Sequence, residues 1–241
     1  ATLLEGVETI TNASSLDDVA LAVSGLGTTT IIGLEGAIDN VSLDYTGLTS
    51  AVDSVSLTLG SVGSGSGITA LDATVIDLDR DDSGSIDTAT IGLSGSNYVN
   101  LEGGTGLTGL TLTGGTSDDN TVVQVSATTL LTSLDASATE STNEFTVSGR
   151  SDITIKGGAG DDTFIMGTSL SNGDSFNGGS GTDTITATLA SSSTRKLNAS
   201  GMESAVIDMT VDGAKVDASA SDITSYTITA SNDVSGSIIN L

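Results

Sequence analysis

"GGAGDDTFI", residues 157–165, and "GGSGTDTIT", residues 178–186, are one pattern written twice: Gly-Gly-x-Gly-x-Asp, one further residue, then an apolar side chain. One copy starts at Gly157 and the other at Gly178, an offset of 21. Glycine enters positive φ without steric cost, so the glycine run turns the chain sharply while leaving its carbonyls exposed. The adjacent aspartates supply hard oxygen ligands. Such a turn is poorly equipped for nucleophilic chemistry and well suited to a hard cation.

Outward from these turns the chain reads as short β-branched runs bounded by Gly, Ser, Asn and Asp, the signature of brief strands. They include 41–45, 55–60, 73–79, 89–93, 109–114, 121–126, 144–149, 152–157, 162–167, 183–189, 203–211, 225–230 and 237–241. None is long enough to form a core alone, so neighbours must stack. One stretch, Ser14 to Val23, has a helical pattern, with Ser15 and Asp18 resembling a capping pair. A turn-flanked strand over Val19 to Val23 accounts for it equally well.

Repeats supply a stacking rule. "LDAT", "LDAS" and "LNAS" start at 71, 134 and 197, two intervals of 63, and "VDAS" follows at 216–219. "GVET" at 6–9 and "GMES" at 201–204 form a second recurring corner. Because 63 is three times the offset of the glycine turns, a coil of about 20 residues is indicated, as in an all-β parallel β-solenoid or β-roll. An immunoglobulin-like sandwich would show longer strands without this spacing. Asp152, Asp162, Asp174 and Asp183 each introduce a strand. Asp152 and Asp174, and likewise Asp162 and Asp183, stand one such coil apart and are expected on the same edge. Phe164, Phe176 and Ile185 are expected to point inward.

Composition excludes whole classes of function. The 241 residues carry 31 acidic and 6 basic side chains, a net charge of −25, which repels nucleic acid and anionic lipid and favours cations. There is no Cys, so no disulfide, thiolate catalysis or zinc–thiolate site, and no His, so no Ser-His-Asp triad or His-ligated zinc. Paired carboxylates could hydrolyse glycosides. Three Tyr, three Phe and no Trp are few for lining a sugar groove, and the reading is non-enzymatic. Threonine-rich strands such as "LTLTG" would suit an ice-binding face, but threonine on exposed strands is ordinary β propensity. Disorder, which acidic and aromatic-poor chains invite, conflicts with 37% hydrophobic residues and a mean hydropathy of +0.18. No apolar run approaches the roughly 20 residues that span a bilayer. The N-terminus lacks a basic signal region and does not begin with Met, so the chain is read as a single continuous segment, 1–241, of a longer secreted protein.

A second acidic loop, "DRDDSGSID" at 79–87, places Asp79, Asp81, Ser83 and Ser85 at alternate positions, with Gly84 at the bend, and Asp87 able to ligate through water. This matches the front of an EF-hand calcium loop. Thr90 stands where the bidentate Glu belongs. A solvated acidic turn remains the alternative there. In "GGTSDDN", 114–120, Asp118 and Asp119 follow a degraded glycine turn and are further candidate metal ligands, and "EGGTG" at 102–106 keeps the glycines without the aspartate and reads as structural.

The doubled Gly-Gly-x-Gly-x-Asp-x-apolar turn, the "LDAS" repeats, the "GVET" and "GMES" corners, the acidity and the lack of Cys, His and Trp together resemble bacterial surface-layer proteins of the repeats-in-toxin type. The specific motifs cover 157–186, the calcium β-roll; looser repeats cover most of the chain. The resemblance implies that Gly157, Gly158, Gly160, Gly178, Gly179 and Gly181, through their carbonyls, coordinate Ca²⁺ with Asp162 and Asp183, and that Asp161 adds a ligand. Family arrays use a nine-residue repeat. Here the intervening half-turn offers Gly173 and Asp174 without a Gly-Gly-x-Gly, so the second edge is a weaker calcium position. The resemblance further implies secretion, folding outside the cell on meeting Ca²⁺, and self-assembly into a two-dimensional lattice on a bacterial surface. Attachment to cell-surface polysaccharide would run through a region outside this chain, with no nucleic acid and no membrane insertion. A solenoid segment of a large secreted repeats-in-toxin adhesin is the alternative.

Overall fold

The computed structural model describes residues 7–11, 20–26, 31–35, 40–45, 54–63, 73–78, 86–102, 106–125, 131–147, 149, 152–230 and 234–241. Every regular element among them is a β-strand, and every strand pairing is parallel. Odd-numbered strands form one sheet of eleven: β1 (Val7–Thr11), β3 (Ile31–Glu35), β5 (Ser54–Gly60), β7 (Thr88–Ser94), β9 (Gly109–Gly114), β11 (Ser133–Thr139), β13 (Thr154–Lys156), β15 (Ser175–Asn177), β17 (Thr194–Ser200), β19 (Ala214–Ser221) and β21 (Gly236–Ile239). Even-numbered strands form the other sheet, of ten: β2 (Ala20–Leu26), β4 (Asn40–Tyr45), β6 (Thr74–Asp77), β8 (Asn97–Glu102), β10 (Asn120–Val125), β12 (Thr142–Val147), β14 (Thr163–Ile165), β16 (Thr184–Leu189), β18 (Ser204–Met209) and β20 (Ser225–Ala230). Each coil gives one strand to each sheet, which makes the chain a two-sheet parallel β-solenoid, as the repeat spacing predicts.

Register fixes the coil length. Thr154 aligns with Ser175, Thr163 with Thr184 and Ser204 with Ser225, so each of these coils repeats at the offset of the two glycine turns. The widest steps, Ser54 to Thr88 and Asn40 to Val75, share the connection after β5. One of these coils also contains the acidic loop 79–87. Alternation within strands sets the core. β12 and β16 bury every second residue, and Val55, Leu57 and Leu59 of β5 turn inward while Ser54, Ser56 and Thr58 do not. The inward residues form one continuous apolar core between the sheets. All three phenylalanines of the chain lie in it, Phe145 against Phe164 at 6.0 Å between ring centres and Phe164 against Phe176 at 6.2 Å. Phe164, Phe176 and Ile185 are all buried, as the pattern predicts.

Three expectations change. Ala20–Val23, the described part of the helical candidate, lies in strand β2, so the strand alternative holds there; residues 14–19 lie outside the described residues. The interval of 63 in the "LDAT" family is half coincidence. "LDAS" 134–137, "LNAS" 197–200 and "VDAS" 216–219 all lie in the eleven-stranded sheet, but Thr74 of "LDAT" opens β6 in the other sheet. Likewise "VET" opens β1 in one sheet while Ser204 of "GMES" opens β18 in the other, so these are not equivalent corners.

Candidate metal centre in the glycine turns

The two glycine turns connect β13 to β14 and β15 to β16, so they stack on one edge of the solenoid, one coil apart. Their glycines are required by that stacking. A Cβ on Gly179 would collide with Gly158 O, and one on Gly178 with Gly201 O and Asp183 Oδ2. Gly179 also sits at φ +105°, a conformation closed to other residues. Backbone of successive coils therefore meets without intervening side chains, with Gly157, Gly178, Gly179 and Gly181 each against a carbonyl oxygen of the adjoining coil.

Asp162 and Asp183 occupy equivalent positions and are wholly buried. Asp162 Oδ1 accepts from the Asn143 backbone N–H at 2.9 Å and from Asn143 Nδ2 at 2.7 Å; its Oδ2 accepts from Gly158 N–H at 2.6 Å. Asp183 Oδ1 accepts from Asp162 N–H at 2.7 Å, and Asp183 N–H in turn donates to Glu203 Oε2 at 2.7 Å. Asp162 and Asp183 are thus inter-coil staples, each taking up the N–H of its counterpart in the preceding coil, whereas Asp152 instead exchanges bonds with Ser171 Oγ. Asp161, exposed, takes up Thr182 N–H at 2.7 Å.

The repeat breaks at one atom. Asp183 Oδ2 is buried without a hydrogen-bond partner. The donor equivalent to Gly158 would be Gly179 N–H, but the positive φ of Gly179 accompanies a different backbone course there. Burial pushes the Asp183 carboxyl up to about 6, opposed by the Asp162 N–H and reinforced by the charges of Asp162, Glu203 and Asp161. Asp162 is also raised by burial, against the N–H donors of Gly158 and Asn143. An unpartnered buried carboxylate oxygen among three further carboxylates is costly. It fits a hard cation, which would rest on Asp183 Oδ2 and on the carbonyls of the glycine turns. Among the described residues no three His, Cys, Asp or Glu side chains are arranged as an ion cage, so carboxylates alone do not make this site.

Of the other proposed ligands, Asp118 and Asp119 lie on this same edge, in the β9–β10 turn two coils before the first glycine turn, and Asp174 and Asp87 lie on the other. Asp174 lies on the opposite edge, buried, and accepts from Ile153 N–H at 3.0 Å, Ser171 N–H at 2.7 Å and Ser171 Oγ at 3.0 Å. It is the staple of its own edge, and both oxygens are used. Asp119 Oδ2 closes its own turn by accepting from Thr116 N–H and Oγ1, each at 2.9 Å, with exposed Asp118 beside it. Asp87 supplies its main-chain carbonyl to Thr108 N–H at 2.9 Å and Gly109 N–H at 3.1 Å. Asp79, Asp81, Ser83 and Ser85 lie outside the described residues. Glu203, whose Oε2 continues the Asp162–Asp183 column, is not among the residues singled out in the sequence; its place after Gly201 in "GMES", one coil beyond Asp183, was the available signal. No family model, curated protein or solved structure matches this chain.

Proposed function

We propose that this chain is a structural, non-catalytic protein that folds with calcium and assembles with copies of itself into a two-dimensional lattice on a bacterial surface. The observation that carries the reading is the orphaned, buried Asp183 Oδ2 in stacked glycine turns of a chain with net charge −25. Asp183 would hold the ion with carbonyls of Gly157, Gly158, Gly160, Gly178, Gly179 and Gly181, and Asp162 and Asp161 would add negative potential. Bound calcium would supply charge neutralisation and nothing redox or hydrolytic. Because the ligands converge only when coils stack, binding and folding are one equilibrium. Weak extracellular sites hold Ca²⁺ at about 10⁻⁴ to 10⁻³ M, so the chain would stay open where free calcium is scarce and close outside the cell.

The test is electron microscopy of the protein in millimolar calcium and after chelation, with circular dichroism on the same samples. Sheets that form with calcium and dissolve with chelator are expected. Calcium-dependent folding into dispersed rods would favour the adhesin segment, and indifference to calcium in both measurements would overturn the reading.

A further inference from the structure

Val122 faces outward on β10, yet it is only 6% exposed. Its register neighbours are Tyr98 on β8 and Glu144 on β12, so a short side chain lies between two long ones, one coil to either side. At about 4.8 Å per coil the long pair stands roughly 10 Å apart. The result is a notch of about 260 Å³ floored by Val122 and walled by Tyr98, Asn120, Thr142, Glu144 and Thr163.

The walls carry unspent hydrogen-bonding capacity. No described residue bonds the Tyr98 hydroxyl, the Glu144 carboxylate or the side chains of Asn120, Thr142 and Thr163. The chemistry narrows the ligand by elimination. No cationic side chain lines the notch and the chain is strongly acidic, which disfavours phosphates, carboxylates and acidic sugars. One carboxylate is too few for calcium, which takes about six to eight oxygens. An apolar floor and a phenol wall, ringed by hydroxyl, amide and carboxylate groups, match a ligand with a C–H face and a hydroxylated rim. The volume lies below the roughly 300 Å³ at which pockets for drug-sized molecules begin, which limits the occupant to one ring.

We propose that this notch is a subsite for a single neutral pyranose unit. Glu144 and Asn120 receive and donate hydrogen bonds at vicinal hydroxyls, Thr142 and Thr163 complete the rim, and Val122 and the Tyr98 ring take the C–H face. The notch adjoins the first glycine turn, Thr163 following Asp162 directly, but includes none of the residues proposed to hold calcium.

Saturation-transfer NMR, which reads the ligand and tolerates assembled protein, tests it with the methyl glycosides of glucose, mannose, galactose and N-acetylglucosamine. At least one is expected to give saturable ring-proton signals at millimolar concentration. Tyr98→Ala and Glu144→Gln should each weaken binding by about tenfold, while Ser225→Ala, far along the same outward row, should leave it unchanged. Should Tyr98→Ala fail to fold, Val122→Phe fills the notch on an outward face and must abolish the signal. Non-saturable signals for all four glycosides, or saturation that survives Glu144→Gln together with Tyr98→Ala or Val122→Phe, would overturn the proposal.

Discussion

At the scale of single residues, the glycines divide into those that packing demands and those that it does not. Gly179 combines φ +105° with a Cβ position against Gly158 O, whereas a Cβ on Gly92 meets nothing closer than 3.5 Å. Gly179→Ala is therefore expected to destabilise by more than about 2 kcal/mol, and Gly92→Ala to be neutral or to stabilise by about 0.5 kcal/mol; urea unfolding of both variants checks the contrast. Asp183 predicts a pH dependence. Its folded-state value is raised from 3.8 to about 6, so without metal the folded protein holds the proton up to about pH 6. The stability it contributes is complete below about pH 3.8 and is lost as pH rises through about 6, limited to roughly 3 kcal/mol. In chelator, wild type should lose more stability than Asp183→Asn as pH rises from about 3.8 to about 6. Calcium should reverse the wild-type slope, since ligation needs the ionised carboxyl. Glycine and aspartate positions were legible in the sequence because both conformational freedom and oxygen chemistry are local properties. That the carboxylates would first serve as staples for another coil's N–H was not, because it depends on which backbone lies one coil away.

Strands show the same division at the next scale. Alternating aliphatic and Thr or Ser residues announce β5, β9, β16 and β20, whereas β11, β17 and β19 lay hidden in the "LDAS" family. Ala, Ser and Asp are weak strand formers, so propensity argues against those segments. Stacking overrides it. In each, the apolar residue and the Ala turn inward while Asp or Asn and Ser face out, and both β11 and β19 carry an extra residue at the motif, over Asp135–Ala138 and Asp217–Ala220. Asp135 Oδ1 takes up Ser137 N–H at 3.0 Å, and Asp217 Oδ1 takes up Ser219 N–H at 3.0 Å, which fastens the bulge. The motif is thus a bulged strand rather than a corner. Phe164, between Phe145 and Phe176, joins both sheets at the coil of the first glycine turn. Phe164→Ala should cost about 3–5 kcal/mol in chemical unfolding, and should raise the calcium needed for folding. Phe164→Leu should cost less than half as much.

For the molecule as a whole, stability is a sum over coils and their contacts. Exposure is uneven: along β20 Tyr226 is only partly covered and Ile228 is 42% exposed, whereas their register partners Ala205 and Ile207 are fully buried. Amide exchange is therefore expected to be fastest in β20 and β21 and slowest in β12 to β16 among the described strands. Equal rates across these segments would contradict it. The staples add a direction. Among the described residues, each fully buried side-chain bond between coils runs from an N–H to a carbonyl or carboxylate oxygen later in the chain: Val62 to Asn97, Asn143 to Asp162, Ile153 to Asp174, Asp162 to Asp183. A cut between two such coils leaves unlike wounds. The N-terminal fragment keeps a bare amide hydrogen and the C-terminal fragment a bare carboxylate, or at Asn97 an amide oxygen, each of which water then solvates. The solenoid therefore has a chemical polarity along its axis: at these buried staples a newly cut later-facing end presents hydrogen-bond donors and an earlier-facing end presents acceptors, so the two ends are not interchangeable.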